Sequence, residues 1–102
     1  MKKNLLILLL LFLCGTLPAK KIYLRGYVLD NNNRGIDLAN IQVKGTSQGT
    51  STNEQGFYEL RLEATDTFHV VYSCIGYETK EYAFPATEDV INATKILPSI
   101  ST

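Results

Sequence analysis

Tryptophan is absent from the 102-residue sequence, histidine occurs once, and ten basic residues balance ten acidic ones. A net charge of zero provides no basic field for nucleic acid, so we expect no nucleic-acid partner. The single histidine, His69, would need partners on neighbouring strands to form a metal site or a nucleophile–base pair, and no catalytic motif surrounds it. We therefore expect no catalytic residues, no metal site and no cofactor.

Long apolar runs are also scarce, because the only one covers residues 5–13 and follows a basic start. This run is about half of the ~20 residues that a membrane-spanning helix needs, so we expect no transmembrane anchor after processing. A basic start, an apolar run and a short segment with small residues before residue 20 are together typical of a secretory signal. We predict a signal peptide over residues 1–19 and one small exported domain over residues 20–102. The sequence does not specify which bond is cleaved, because Leu17, two positions before Ala19, is larger than such sites prefer.

Cysteine is nearly absent too, and one of the two, Cys14, closes the apolar run. Such a cysteine can be the lipid-modified first residue of a bacterial lipoprotein. Phe12 and Leu13 stand where that signal has small residues, so lipid anchoring at Cys14 is disfavoured. After cleavage Cys74 remains alone and cannot form an internal disulfide, so the domain must be stabilised by packing.

Beyond the leader, apolar and polar residues alternate with the period of a β-strand, and no stretch has helical spacing. In residues 39–44, Ala39, Ile41 and Val43 fall on one face and Gln42 on the other, which predicts one buried and one solvated face. This spacing of short strands predicts an all-β sandwich or barrel. The predicted strands cover residues 22–29, 39–44, 49–52, 58–62, 68–74, 77–84 and 90–97.

Glycines stand where these strands end, and positive φ or close backbone approach explains them without a ligand. We interpret four of them as turn residues that determine the fold: Gly35, Gly45, Gly56 and Gly76.

An asparagine-rich turn follows the first predicted strand and brings several oxygen-bearing side chains together. Asp30, Asn32 and Asp37 carry ligand atoms of the kind that Ca²⁺ prefers. Arg34 places a cation where a ligand should be, so we interpret the segment as a turn rather than a calcium site.

Four motifs follow one another in a specific order: Gly-Tyr-Val-Leu-Asp at 26–30, the strand with its glycines at 35–46, Gly-Thr-Ser-Thr-Asn-Glu-Gln-Gly-Phe-Tyr-Glu-Leu at 49–60, and Val-Val-Tyr-Ser-Cys-Ile-Gly-Tyr at 70–77. This order resembles the carboxypeptidase regulatory-like domain, especially the version at the amino terminus of TonB-dependent outer-membrane transporters. The resemblance implies a seven-stranded transthyretin-like, or prealbumin-like, β-sandwich. It also implies a non-catalytic domain in the periplasm or at the outer membrane.

In those transporters the domain is followed by a Glu-Val-Val-Val type strand, a plug and a barrel, whereas this sequence ends at residues 96–102. We therefore expect either a free-standing secreted domain or the amino-terminal fragment of an interrupted transporter gene without independent function. The residues do not decide between these two.

Aromatic residues outside the predicted core form the candidate contact surface. Tyr23, Tyr27, Phe57 and Tyr82 fall on the solvated face of their strands or on a face that the pattern leaves undecided. Exposed aromatic rings can dock a protein or stack on sugar rings, and they can equally serve cross-strand packing. We expect an interaction domain that binds an envelope protein or a component of an outer-membrane transporter, with a carbohydrate-binding module as the alternative.

Overall fold

The computed structural model describes residues 18–100, which form eight strands in two sheets. The strands are β1 (Lys20–Leu29), β2 (Asn40–Val43), β3 (Gly49–Ser51), β4 (Phe57–Ala64), β5 (Phe68–Ser73), β6 (Lys80–Phe84), β7 (Val90–Asn92) and β8 (Lys95–Ile96). Sheet 1 has the order β4-β1-β7, with β8 also paired to β1, and sheet 2 has the order β3-β2-β5-β6. The predicted all-β sandwich is therefore confirmed. Residues 1–17 of the predicted signal peptide, Cys14 among them, lie outside the described residues.

Strand β1 runs through the middle of sheet 1, antiparallel to β4 and parallel to β7 and β8. Its inward side chains follow the predicted alternation, since Ile22, Leu24 and Val28 are buried. Strand β2 has the predicted phase as well, with Ile41 fully buried and Gln42 half-buried. The core lies between the sheets and consists of Ile22, Leu24, Val28, Ile36, Ala39, Ile41, Val43, Tyr58, Leu60, Leu62, Phe68, Val70, Tyr72, Phe84, Ala93 and Leu97.

The segment predicted as one strand over residues 90–97 is two strands, β7 and β8, that share one register along β1. Between them the carbonyl of Ala93 accepts a hydrogen bond from the buried Tyr58 hydroxyl, while the Thr94 hydroxyl accepts the N–H of Tyr27 at 3.3 Å. A β-carbon at Gly26 would lie 2.0 Å from the Ala93 oxygen, so only glycine admits this carbonyl. Residues 18–100 therefore form eight strands where seven were predicted.

Two buried tyrosines join the sheets through their hydroxyl groups. The Tyr58 and Tyr72 oxygens are 2.7 Å apart, and the rings meet edge to face with centroids 5.7 Å apart. Since Tyr58 donates to Ala93, its oxygen accepts the proton of Tyr72. Burial raises the pKa of Tyr58 to about 12 and raises the pKa of Tyr72 further. Both hydroxyls are therefore neutral at physiological pH.

Of the four glycines singled out in the sequence, Gly45, Gly56 and Gly76 lie in turns or bends between strands, whereas Gly35 forms an isolated β-bridge with Leu29. Gly45, Gly56 and Gly76 have φ values of 78°, 80° and 91°, the left-handed region that disfavours other residues. Gly35 instead allows close approach, because a β-carbon there would lie 2.0 Å from the carbonyl oxygen of Gln55.

The asparagine-rich turn after β1 uses its carboxylate internally. An oxygen of Asp30 accepts the N–H groups of Asn32 at 2.8 Å and Arg34 at 3.0 Å. This arrangement holds the turn closed, with Asn33 at φ 60°. The geometry is that of a capped turn.

Candidate functional site

The outer face of sheet 1 carries a contiguous apolar surface, which we call the outer patch: Tyr27, Leu29, Phe57 and Ile96. Register places Tyr27 beside Phe57 and Leu29 beside Ile96. The rings of Tyr27 and Phe57 meet edge to face with centroids 5.3 Å apart. Tyr27 is 45% exposed and Ile96 is 47% exposed, so the side chains of the patch contact one another and are also accessible to solvent.

A polar cluster lies on the same face, further along β1. The Tyr23 hydroxyl donates a hydrogen bond to Glu59, and the Arg61 guanidinium lies 5.2 Å from the centre of the Tyr23 ring. The hydrogen bond to Glu59 raises the pKa of Tyr23 above its ordinary value. An open groove of about 320 Å³ runs beside this tyrosine and is bordered by Lys21 and Asp89. The face thus combines an apolar end with a polar end.

Tyr82, the fourth aromatic candidate, lies apart from the other three. It pairs in register with Val70, whose side chain is fully buried, so Tyr82 also points toward the core side of sheet 2. Its ring meets that of Tyr72 with centroids 5.7 Å apart, and the Lys95 ammonium lies 4.0 Å from its centre. The structure therefore brings Tyr23, Tyr27 and Phe57 onto one face and assigns Tyr82 to packing between the sheets.

Sequence reasoning missed a second apolar surface, at one end of the sandwich. Leu38 is 73% exposed at φ 59°, and Ile75 is 99% exposed in the turn that precedes Gly76. The two flank the half-buried Cys74. A large aliphatic residue in a turn, where polar residues and glycine are favoured, is the signal that could have revealed Ile75.

His69 lies on the outer face of sheet 2, as its place in the alternation predicts, and it is half exposed. Its Nδ1 lies 3.3 Å from a carboxylate oxygen of Glu81, whose other oxygen is 3.1 Å from the Lys44 ammonium. Across residues 18–100, no three His, Cys, Asp or Glu side chains are placed to hold a metal ion. The same residues contain no helix of the length and apolarity that crossing a membrane requires.

A family profile described as CarboxypepD_reg-like domain matches residues 24–101, from the middle of β1 past the last strand. The chain belongs to the carboxypeptidase regulatory-like domain family. The resemblance noted in the motifs is thereby confirmed.

Within this family the chain is similar to the TonB-dependent receptor SusC of Bacteroides thetaiotaomicron, with 35% identity over 84 residues. The match covers 80% of this chain and 8% of the receptor. The carboxypeptidase regulatory-like domain thus corresponds to a small part of that relative.

Solved structures share the sandwich at low identity. A chain of the type II cohesin–X-dockerin complex from Acetivibrio cellulolyticus matches with TM-score 0.66 and 18% identity, over 76% of this chain and 58% of that chain. Catechol 1,2-dioxygenase from Pseudomonas arvilla C-1 matches with TM-score 0.67 and 10% identity, over 86% of this chain and 55% of that chain. At these identities the likeness concerns the fold alone.

Proposed function

We propose that this chain is a non-catalytic recognition domain of the bacterial cell envelope and that it binds a protein partner through the outer face of sheet 1. The observation that carries the proposal is the outer patch, in which two aromatic and two aliphatic side chains form one solvent-exposed apolar surface. Tyrosine and other aromatic residues are enriched in protein interfaces and among the residues that dominate binding energy.

The polar end of the same face supports recognition rather than nonspecific adhesion. Tyr23, Glu59 and Arg61 are held by mutual contacts, so a partner meets a preorganised set of donors and acceptors. An apolar surface that adjoins ordered polar groups is a usual composition of a specific interface.

The partner we propose is an envelope protein, such as a component of a TonB-dependent receptor system. Similarity to one such receptor supports this assignment, and the proposed signal peptide over residues 1–19 would deliver the domain to the periplasm or the outer membrane. Absence of catalysis is inferred from the site chemistry, since the ring of His69 faces Glu81 and Lys44 in a surface ion-pair cluster rather than a nucleophile.

Photocrosslinking in cells tests the protein-recognition proposal. A photoreactive phenylalanine analogue is placed at Tyr27 in the full chain, and the control carries it at Gln42, on the outer face of sheet 2. We expect one discrete protein adduct from position 27 that Ile96→Asp abolishes, and none from position 42. Equal adducts from both positions, or none from position 27, would contradict the proposal.

The carbohydrate alternative rests on the same exposed ring of Tyr27 and is tested separately. Glycans of varied linkage are titrated into the purified protein while tyrosine fluorescence is followed. A saturable response that Tyr27→Ala removes, without a crosslinked protein, would replace the protein partner with a sugar. Fractionation of cells expressing the tagged chain tests export, because recovery from the cytosol with Met1 attached is incompatible with the proposed role.

A further inference from the structure

Sheet 2 ends in β6, and the backbone of this strand has hydrogen-bonding groups turned away from the sheet. The carbonyl of His69 accepts the N–H of Lys44 at 2.8 Å, so His69 directs its backbone groups to the β2 side. Ala83, its register partner in β6, is therefore at a non-hydrogen-bonded position of the β5–β6 ladder. The same holds two residues away, where Glu81 of β6 pairs with Val71 at another non-hydrogen-bonded position. The N–H and C=O groups of Glu81 and Ala83 thus point outward, and both residues are exposed.

On the β4 edge of sheet 1, by contrast, outward backbone groups have hydrogen-bond partners. The side-chain amide of Gln48 accepts the N–H of Glu63 at 2.8 Å and donates to its carbonyl at 3.3 Å. Asn53 does the same for Phe57, with its side chain accepting the N–H at 3.0 Å and its own N–H donating to the carbonyl at 2.9 Å. Both ends of that edge are capped. Among residues 18–100, no side chain caps Glu81 or Ala83 of β6 in this way.

We propose that β6 pairs antiparallel with β6 of a second copy of this chain, which joins the two copies of sheet 2 into one continuous sheet. The two-fold axis passes through Tyr82, so that Glu81 of each copy lies opposite Ala83 of the other. Each of these pairs exchanges two backbone hydrogen bonds, as antiparallel hydrogen-bonded positions do. An interface of this kind is self-complementary, which a closed two-fold dimer requires.

Sequence selects this register over its two neighbours. A shift that places Glu81 opposite Glu81 sets like charges directly against each other, which is destabilising. A shift in the other direction places Ala83 opposite Ala83 and Glu81 opposite Pro85, which has no N–H to donate. Within Lys80–Phe84, only the register centred on Tyr82 keeps every outward backbone bond and places no like charges directly opposite each other.

Side-chain complementarity across the proposed junction follows from the same register. On the outer face, Glu81 lies opposite the small Ala83, next to the row that contains His69 and Lys44 of the other copy. The two Glu81 carboxylates are diagonal neighbours across the axis rather than direct partners, and each keeps its contacts with His69 and Lys44 of its own copy. On the inner face, Tyr82 lies beside its own symmetry mate, and the Lys80 stem lies beside Phe84, which extends apolar packing across the junction.

The dimer goes beyond the proposed function and does not depend on it. Pairing uses sheet 2 alone, so the outer patch on sheet 1 stays open in both copies. A dimer would present two recognition faces, and a partner with two matching sites would bind with higher avidity than a monomer allows.

Sedimentation velocity on the exported protein, over micromolar to millimolar concentrations, measures the association. We expect a reversible monomer–dimer equilibrium whose dissociation constant rises at least about tenfold in Ala83→Pro, because the ring removes an N–H that the monomer does not use. Ser51→Pro is the matched control, since it places proline on the opposite edge strand β3, and it should leave the dissociation constant unchanged. A monomer throughout this range, or equal effects of both prolines, would overturn the proposal.

Cysteine crosslinking tests the register independently. In a Cys74→Ser background, Tyr82→Cys should oxidise to a disulfide-linked dimer, because non-hydrogen-bonded partners have Cα atoms about 4.5 Å apart, within disulfide range. Glu81→Cys and Ala83→Cys lie opposite other residues and should crosslink far less. Preferential crosslinking at position 81 or 83 would refute the register centred on Tyr82.

Discussion

Replacing Tyr58 by phenylalanine should destabilise the protein more than the same change at Tyr72, although both rings are almost fully buried. The difference arises from the direction of the hydrogen bonds. Tyr72 donates to Tyr58, and Tyr58 donates to the carbonyl of Ala93 between β7 and β8. Tyr58 is therefore the middle of a chain of three groups, whereas Tyr72 stands at its end.

The expected magnitudes follow from which groups lose their partners. Tyr72→Phe removes one neutral hydrogen bond and leaves Tyr58 bonded to Ala93, which costs about 1 kcal/mol of unfolding free energy. Tyr58→Phe leaves both the Tyr72 hydroxyl and the Ala93 carbonyl buried without partners, at about 1–3 kcal/mol each. Since the stability of a small domain is about 5–10 kcal/mol, the second change removes a large part of it.

Urea unfolding followed by far-ultraviolet circular dichroism measures these differences without relying on tyrosine fluorescence. The double variant provides the decisive comparison, because removing the Tyr72 hydroxyl eliminates a group that Tyr58→Phe leaves unpaired. Tyr58→Phe/Tyr72→Phe should therefore be no less stable than Tyr58→Phe alone. Equal single-variant effects, or a double variant that loses the full sum of both, would refute the assigned hydrogen-bond chain.

Three further predictions concern stability. Gly26→Ala should lower the free energy of unfolding by about 3 kcal/mol or more, because the new methyl group would overlap the Ala93 carbonyl. Gly45→Ala has open space around it and should lose only about 1 kcal/mol because of its positive φ. The thermal midpoints of the two variants test this difference. Ile41→Asp buries a charge in the core and should abolish folding. Gln42→Asp should leave the circular dichroism spectrum and a cooperative unfolding transition intact. Equal thermal midpoints for the two variants would contradict the assignment of Ile41 to the inner face of β2 and Gln42 to the outer face. Burial raises the pKa of both buried tyrosines, so the unfolded chain loses these protons first as the pH rises. The contribution of these two groups to stability should be constant below about pH 10 and should fall between about pH 10 and 12. Urea midpoints measured against pH should fall less steeply in Tyr72→Phe.

The outer face of sheet 1 could be predicted in part. Tyr23, Tyr27 and Phe57 stand on the solvated phase of strongly alternating strands, so the sequence alone places them on an outer face. Leu29 shares the phase of Tyr27 on β1, but Ile96 joins them only through the parallel pairing of β1 with β8, a contact between residues far apart in the chain. Local alternation carries no information about such partners.

Tyr82 illustrates the opposite case. Residues 77–84 carry aromatic and charged side chains on both alternation phases, so no inward face can be chosen from them. The register with β5 decides the question, because Tyr82 lies beside the buried Val70. The same segment is shorter than predicted, since Tyr77 bridges to Ser99 rather than extending β6.

Alternation, turn chemistry and the order of the glycine motifs were enough to establish a two-layer β-sandwich of a known family, because side-chain burial in strands follows a local period of two. Tertiary structure decided what depends on distant contacts. It divided the last predicted strand at the carbonyl that crosses Gly26, assembled the outer patch, and left the edge of β6 open while capping that of β4. Each of these outcomes depends on which backbone groups find partners across the sheets, and the chain acquires those partners only when it folds.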